Sequence, residues 1–156
     1  MIAAMEVESH CKAVLRANGV SLTNSNTEDY VKLLTAMKLD DYEIALSRYP
    51  DLDLIRPFAG WDPARPTQSL AFYAAYNSVK HDRETAFDRG TLKLALEAVA
   101  ACAVLATAQF GWASIFGSNR GLEEFFTLTS VPRWRLSETY MMETHGWLAR
   151  EVHYKF

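Results

Sequence analysis

The chain has 156 residues, of which 49% are hydrophobic and 22% are charged, and its formal net charge is −3. This length suits one domain with a sizeable core, and the composition excludes a disordered or fibrous chain. The acidic balance excludes a dedicated nucleic-acid binder with a general basic excess, so any contact with RNA would come from a local patch. We therefore expect a single helical domain over residues 1–156.

The cellular compartment is indicated by the cysteines and by the apolar stretches. Cys11 and Cys102 lie far apart without a CxxC spacing, which favours free thiols in a reducing cytoplasm over a disulfide or a zinc site. Residues 1–5 are apolar, but Glu6 follows at once, unlike a secretory signal. No charged residue occurs in 98–119, yet this stretch is rich in alanine and contains polar residues. We expect a buried core helix, no membrane span and a cytoplasmic protein.

The first part of the chain predicts two helices. Apolar spacing indicates a helix over residues 3–17, which Asn18-Gly19 ends, because glycine adopts the left-handed conformation without a Cβ clash. Asn26 or Thr27 would cap a second helix. The apolar stripe of that helix would consist of Tyr30, Leu33, Leu34 and Met37.

An extended region is expected next. Apolar and polar residues alternate over 42–49 as in a strand, although so short a stretch also suits one or two helical turns. Four prolines follow between residues 50 and 66. Proline lacks an amide donor and disfavours helix in the residue before it, so we expect an extended connection here. Phe58 and Trp61 would pin it to the surface of the core.

The helical period is strongest after Pro66. Thr67 would cap a helix over 67–83, and a helix over 91–112 is apolar nearly all round, which is typical of a central, buried element. The segment 123–134 suits a strand or an extended edge. We expect a mainly α fold, a helical bundle built on an antiparallel hairpin of the two helices. A minor β element would come from the extended segments 42–49 and 151–156.

The stretch YNSVKH at residues 76–81 is the main candidate for a functional site. Asparagine is a poor residue in mid-helix, because its side chain competes for backbone hydrogen bonds. Leu70, Asn77 and His81 fall on one helical face, which would aim the two polar side chains at the interior or a cleft. Because imidazole suits proton transfer near neutral pH, His81 would be the catalytic acid and base, with Asn77 as its partner.

The neighbours of this pair add positive charge. Lys80 and Arg83 would clamp a phosphate through charge-assisted hydrogen bonds, and Tyr76 completes the expected substrate-binding set. The alternative is structural: Tyr76, Asn77 and His81 would then be satisfied polar residues near a helix end, where a histidine complements the helix dipole. Both interpretations stay open at this point.

Asn77 and His81, with three residues between them, resemble the signature of the HEPN superfamily, which is an arginine, a polar residue, three further residues and a histidine. Tyr76 occupies the place of the arginine, and the resemblance covers roughly residues 67–112. It implies metal-independent cleavage of RNA by attack of the 2′-hydroxyl, in a composite site across a two-fold dimer. It also implies a prokaryotic toxin–antitoxin or defence system as the biological context. Arg83 would replace the missing arginine.

Two other constellations are weaker candidates. His145 and His153 each follow a glutamate by two residues, but without an HExxH spacing we expect surface or packing roles and no metal site. The motif PRWR at 132–135 is a second basic and aromatic patch, and the aromatic residues of the tail suit base stacking, an interface or core packing. No cofactor motif occurs.

Two functions therefore remain in view. The first is a HEPN-like domain that binds or cleaves RNA without metal or cofactor, as a homodimer or with a partner protein. The alternative is a non-catalytic helical module for protein interaction or dimerisation, in which the Asn77 and His81 cluster serves the scaffold or a partner.

Overall fold

The computed structural model describes residues 1–23, 25–82, 84–117, 120–135 and 154. Over these residues the fold is mainly α with a small antiparallel sheet of two strands, as the sequence predicts. The elements are α1 (Ile2–Ala17), α2 (Thr27–Tyr30), α3 (Lys32–Ala36), β1 (Glu43–Leu46), α4 (Ala71–His81), α5 (Leu92–Phe110), α6 (Trp112–Ile115), α7 (Arg120–Phe125) and β2 (Phe126–Ser130).

The pairing of α1 with α5 is the most extensive contact between described elements. Small side chains let two helices approach closely, and α5 buries four alanines. The Cys102 thiol donates to the Ala3 carbonyl at 3.3 Å, and His10 Nε2 lies 2.5 Å from Gln109 Oε1. Both contacts join residues that are 99 apart in the chain, so the two helices run in the same direction.

Several helix ends follow the predicted capping chemistry. Gly19 has a φ of 81° directly after α1, where a side chain would be strained. The Asn26 side chain accepts a hydrogen bond from the Glu28 amide at 2.7 Å and so caps α2. Thr91 caps α5 in the same way, through the amide of Leu94 at 3.4 Å.

The sheet confirms the strand in 42–49 but gives it an unexpected partner. β1 pairs antiparallel with β2, with Ile44 opposite Leu128, and the amide and carbonyl groups of Ile44 also pair with those of Ile55. The partner strand thus comes from the extended segment 123–134. Of the expected partner segment, 151–156, the structure describes Tyr154 alone, which lies in no strand.

Two aromatic side chains attach the proline-rich connection to the core, as the sequence predicts. Phe58 is 0% exposed and Trp61 is 5% exposed, and their ring centroids are 5.5 Å apart. The Trp61 indole donates to the Pro66 carbonyl at 2.9 Å, and Phe58 meets the ring of Phe72 edge-on. Both rings are thus buried while residues 51–54 of the connection stay exposed, so the connection runs along the surface and is held there by the two rings.

The first helix of the predicted hairpin begins later than expected. α4 starts at Ala71 rather than at residue 67, and Leu70 is its extended N-cap residue with φ −97°. Thr67 caps nothing; its hydroxyl lies 2.6 Å from the Thr27 hydroxyl. Residues 66–68 form a turn instead, and the helical hydrogen bonds begin with the Ala74 amide, which donates to the Leu70 carbonyl at 2.9 Å.

Burial of α5 is uneven along its length. Its buried residues lie between Ala98 and Thr107, whereas Leu92 is 76% exposed and Val99 is 43% exposed. The expectation of a helix buried nearly all round is therefore wrong for its first two turns. By length and composition the helix would suffice to span a membrane, with a mean hydropathy of 1.5 and 39% of it buried.

Removing the Phe58 ring should cost stability, because the void left in the core cannot close. We expect Phe58→Ala to lower the free energy of unfolding by about 3 to 5 kcal/mol, measured by urea denaturation. Leu54→Ala, an exposed position of the same segment, is the control and should change it by less than about 0.5 kcal/mol. If the two substitutions lowered the free energy of unfolding equally, the burial of Phe58 would be contradicted.

Candidate functional site on helix α4

The two faces of α4 have different chemistry. Its buried residues are Phe72, Tyr73, Tyr76 and Val79. Asn77 is half-buried and His81, the last residue of the helix, is exposed. Asn77 and His81 do lie one turn apart, but His81 faces solvent instead of the interior. The face predicted from the sequence includes Leu70, which precedes the helix, whereas the buried residues of α4 begin at Phe72.

Tyr76, which the resemblance in sequence pairs with an arginine, is a core residue that also contacts Lys80. Its ring centroid lies 5.6 Å from that of Tyr73, and the Lys80 ammonium lies 5.4 Å from the Tyr76 centroid. A cation over an aromatic face is stabilised by the ring quadrupole. Lys80 is exposed, and its ammonium group therefore lies where the buried face of α4 meets the side that carries Asn77.

A polar contact ties this part of α4 to α1. The Tyr73 hydroxyl donates to Glu8 Oε2 at 3.4 Å, and Glu8 is paired with Lys12 at 2.6 Å. Burial raises the pKa of the Tyr73 hydroxyl well above its usual value, and the neighbouring Glu8 carboxylate adds to the effect. The hydroxyl therefore stays protonated and remains a hydrogen-bond donor.

Two residues to which the sequence interpretation assigned no role meet here: Ser78, within the motif, and Arg89, in the turn after α4. The Ser78 hydroxyl donates to the Ala74 carbonyl at 3.0 Å, and Arg89 Nη1 donates to Ser78 Oγ at 3.2 Å. Arg89 thus reaches the surface of α4 at Ser78. The periodicity of α4 gives no signal for Arg89, because Arg89 belongs to the turn after the helix and reaches Ser78 only when that turn folds. Arg83, the predicted replacement for the missing arginine, lies outside the described residues.

The turn after α4 determines where Arg89 lies. The Asp82 carboxylate accepts hydrogen bonds from the Thr85 hydroxyl and from the Thr85 amide, the latter at 3.2 Å. These hydrogen bonds lower the pKa of Asp82. Ala86 is buried, and the Arg89 amide donates to its carbonyl at 3.1 Å. A 3-10 turn over Phe87–Arg89 then returns the chain toward the helix.

An apolar cavity of about 180 Å³ lies on the other side of α4. It is lined by Met1, Ala4, Phe72, Ala75, Tyr76, Val79, Phe87, Gly90, Thr91, Leu94, Ala95 and Ala98. Neither Asn77 nor His81 belongs to this lining. The cavity and the polar cluster are therefore separate features on opposite sides of one helix.

The second basic and aromatic patch is held together by Lys38. Its ammonium lies 4.3 Å from the ring centroid of Trp134 and donates to the Arg133 carbonyl at 3.2 Å. Lys38 adopts the left-handed conformation with φ 48°, which is unusual for a residue with a side chain. These contacts assign Trp134 to packing at the end of the sheet.

The histidines 145 and 153 and the tail aromatics Tyr140, Trp147 and Phe156 lie outside the described residues. Tyr154, which is described, packs against α5 and donates its hydroxyl to the Ala108 carbonyl at 2.9 Å. Within the described ranges no three His, Cys, Asp or Glu side chains group as metal ligands.

Comparisons with protein-family models, with curated proteins and with solved structures find no match to this chain. The candidate site is therefore defined by the side chains of α4 and of the turn that follows it. It consists of the half-buried Asn77 and the exposed His81, Lys80 and Arg89.

The raised pKa of Tyr73 makes stability fall at alkaline pH. Above pH 10.0, the ordinary value, the unfolded chain loses this proton while the folded chain retains it. We expect the free energy of unfolding of the Tyr73→Phe variant to decline less steeply than that of the wild type between about pH 9 and about pH 11. The control is Tyr49→Phe, at an exposed position, which should keep the wild-type slope. If urea denaturation gave all three proteins the same dependence of the unfolding free energy on pH, the raised pKa of Tyr73 would be contradicted.

Proposed function

We propose that this chain is a HEPN-like domain that binds or cleaves RNA without a metal ion, with its site on the outward side of α4. The observation that carries the proposal is the spacing of Asn77 and the exposed His81, one turn apart, beside Lys80. A substrate as large as RNA requires an exposed site, and the exposure of His81 meets that requirement.

The proposed reaction is transfer of the phosphodiester to the neighbouring 2′-hydroxyl. His81 takes the proton of this hydroxyl, whose oxygen attacks phosphorus. The bond to the 5′-oxygen breaks, and the leaving oxygen takes a proton from His81 or from water. The products are a 2′,3′-cyclic phosphate and a 5′-hydroxyl. Asn77 orients the imidazole or the scissile group, and Lys80 offsets the phosphate charge.

In this proposal α4 and α5 are the arms of an antiparallel helical hairpin within a helical bundle. The short segment 82–91 joins the two helices, and α4 packs against both α1 and α5. The proposed biological context, a cytoplasmic toxin–antitoxin or defence system, follows from the resemblance in sequence alone.

We also propose that the chain forms a homodimer through an N-terminal apolar surface. This surface consists of Met1, Ile2, Met5, Phe87, Leu92 and Val99. Met1 and Phe87 line the same cavity, and Leu92 and Val99 flank its lining residue Ala95 on α5. The six side chains are 43% to 78% exposed. One partner contributes roughly 800 Å² to a standard interface, and these six exposed apolar side chains would supply its apolar part.

The same surface favours the second candidate function, a non-catalytic module for protein interaction or dimerisation. An apolar surface of this extent exceeds what a monomer normally exposes. In that case Asn77 and His81 would serve the scaffold or a partner, and the chain would assemble normally without acting on RNA.

A cleavage assay separates the two functions. We expect the wild type to cleave an unstructured RNA in EDTA, and His81→Ala to reduce the rate at least 100-fold, because a positioned acid and base contributes about 10² to 10⁴. Since His81 is exposed, the variant should fold normally, which circular dichroism checks. The control is Arg16→Ala. Arg16 is an exposed cation in the last turn of α1, so this variant should retain the wild-type rate. Equal rates for wild type and His81→Ala would rule out this catalytic role.

Sedimentation tests the dimer. We expect the wild type to sediment as a dimer and Leu92→Glu as a monomer, because a charge buried without a partner in an apolar interface is costly. Val131→Glu, a partly exposed position beyond β2, should leave the dimer intact. A monomeric wild type at micromolar concentration, or a dimeric Leu92→Glu, would contradict the use of this surface.

A further inference from the structure

We propose that Arg89 supplies the cation of this site, binding the RNA phosphate from the turn after α4 in place of the arginine that position 76 lacks. The inference rests on the proposed function, because it assigns a substrate-binding residue to the same site. It replaces the expectation that Arg83 fills this role.

The hydrogen-bond geometry beside Asn77 carries the inference. The Ser78 hydroxyl gives its proton to the Ala74 carbonyl at 3.0 Å, so its oxygen is free to accept from Arg89 Nη1 at 3.2 Å. This contact uses one of the five N–H donors of the guanidinium group. The remaining donors are available to a phosphate, which a guanidinium binds in a bidentate manner.

The position of Ser78 places the guanidinium near the proposed catalytic histidine. Ser78 precedes His81 by three residues, a spacing at which side chains are neighbours on a helix surface. A phosphate held by Arg89 would therefore lie over the outward side of α4, within reach of the His81 imidazole. Arg89 itself is exposed, as binding to RNA requires.

Like Arg16, and unlike three other arginines, Arg89 has no carboxylate partner among the described residues. Arg48 pairs with Glu124, Arg56 with Glu43 and Arg65 with Asp62. Over the described ranges Arg89 forms no ion pair, and its hydrogen bond goes to a neutral hydroxyl. Its positive charge is thus not neutralised by a paired carboxylate.

The described acidic groups of the turn form no ion pair with Arg89. The Asp82 carboxylate is held by the hydroxyl and the amide of Thr85. Asp88 and Glu84 are exposed and form no ion pair with Arg89. The burial of Ala86 and the backbone bond from the Arg89 amide to its carbonyl hold the turn in place before any ligand binds. Such preorganisation lowers the entropic cost of binding.

A binding experiment tests the inference without requiring cleavage. The probe is a 2′-deoxy dinucleoside monophosphate, which carries one phosphodiester and has no 2′-hydroxyl to react. In NMR titrations we expect roughly millimolar affinity, with the largest shifts at Ser78, His81 and Arg89. The methylphosphonate analogue of the probe, which has no negative charge, should cause no such shifts.

Matched variants identify the cation. Arg89→Ala should weaken binding of the probe at least tenfold, Arg89→Lys should weaken it less, and Arg16→Ala should leave it within twofold of the wild type. Ser78→Ala should weaken binding to an intermediate degree, because it removes the anchor of the guanidinium but not its charge. Unchanged affinity in Arg89→Ala, or shifts confined to another surface, would overturn the inference.

Kinetics distinguish failure of this inference from failure of the proposed function. If the wild type cleaves RNA, Arg89→Ala should lower kcat about 100-fold with a smaller change in KM, because the phosphate charge grows in the transition state. Cleavage by Arg89→Ala at the wild-type rate would overturn the role of Arg89 and leave the nuclease intact. Binding of the probe at Arg89 by a wild type that cleaves no RNA would retain the phosphate site and refute the cleavage.

Discussion

The close packing of α1 along α5 is the constraint on which the rest of the structure depends. Buried alanines on α5 allow the approach, and the Cys102–Ala3 and His10–Gln109 contacts set the register of the two helices. α4 can then join this pair only with its aromatic side against them, where Tyr73 meets Glu8. The orientation of α4, and with it the outward position of His81, is a consequence of that packing.

The division of α4 into two sides separates the buried Tyr76 from the exposed cations of the helix and of the turn that follows it. Tyr76 completes the core and lines the apolar cavity, so a charged residue there would be buried at high cost. Positive charge is supplied from the solvent side instead. Lys80 stacks on Tyr76, and Arg89 reaches Ser78 through the turn, so that two cations flank Asn77.

Local signals allowed much of the fold to be predicted from the sequence. Glycine at the end of α1, Asn26 before α2 and Thr91 before α5 act within one helical turn, where capping chemistry decides the outcome. Features that depend on distant contacts were not predictable. β1 pairs with a strand about 80 residues away, and Arg89 reaches Ser78 although eleven positions separate the two residues. Because α4 was expected to begin at Thr67, Leu70 was counted as part of its apolar face. His81 lies on the same face as Leu70 in that helix, so it was expected to face the interior.

The chemical ends of the cleavage products test the central claim most directly. A labelled single-stranded RNA would be incubated in EDTA with the wild type and with His81→Ala, and the product termini would be determined by mass spectrometry. We expect 2′,3′-cyclic phosphate and 5′-hydroxyl ends from the wild type, because the 2′-hydroxyl is the nucleophile, and no products above background from the variant. Products with 3′-hydroxyl and 5′-phosphate ends, or equal cleavage by His81→Ala, would contradict a nuclease centred on His81.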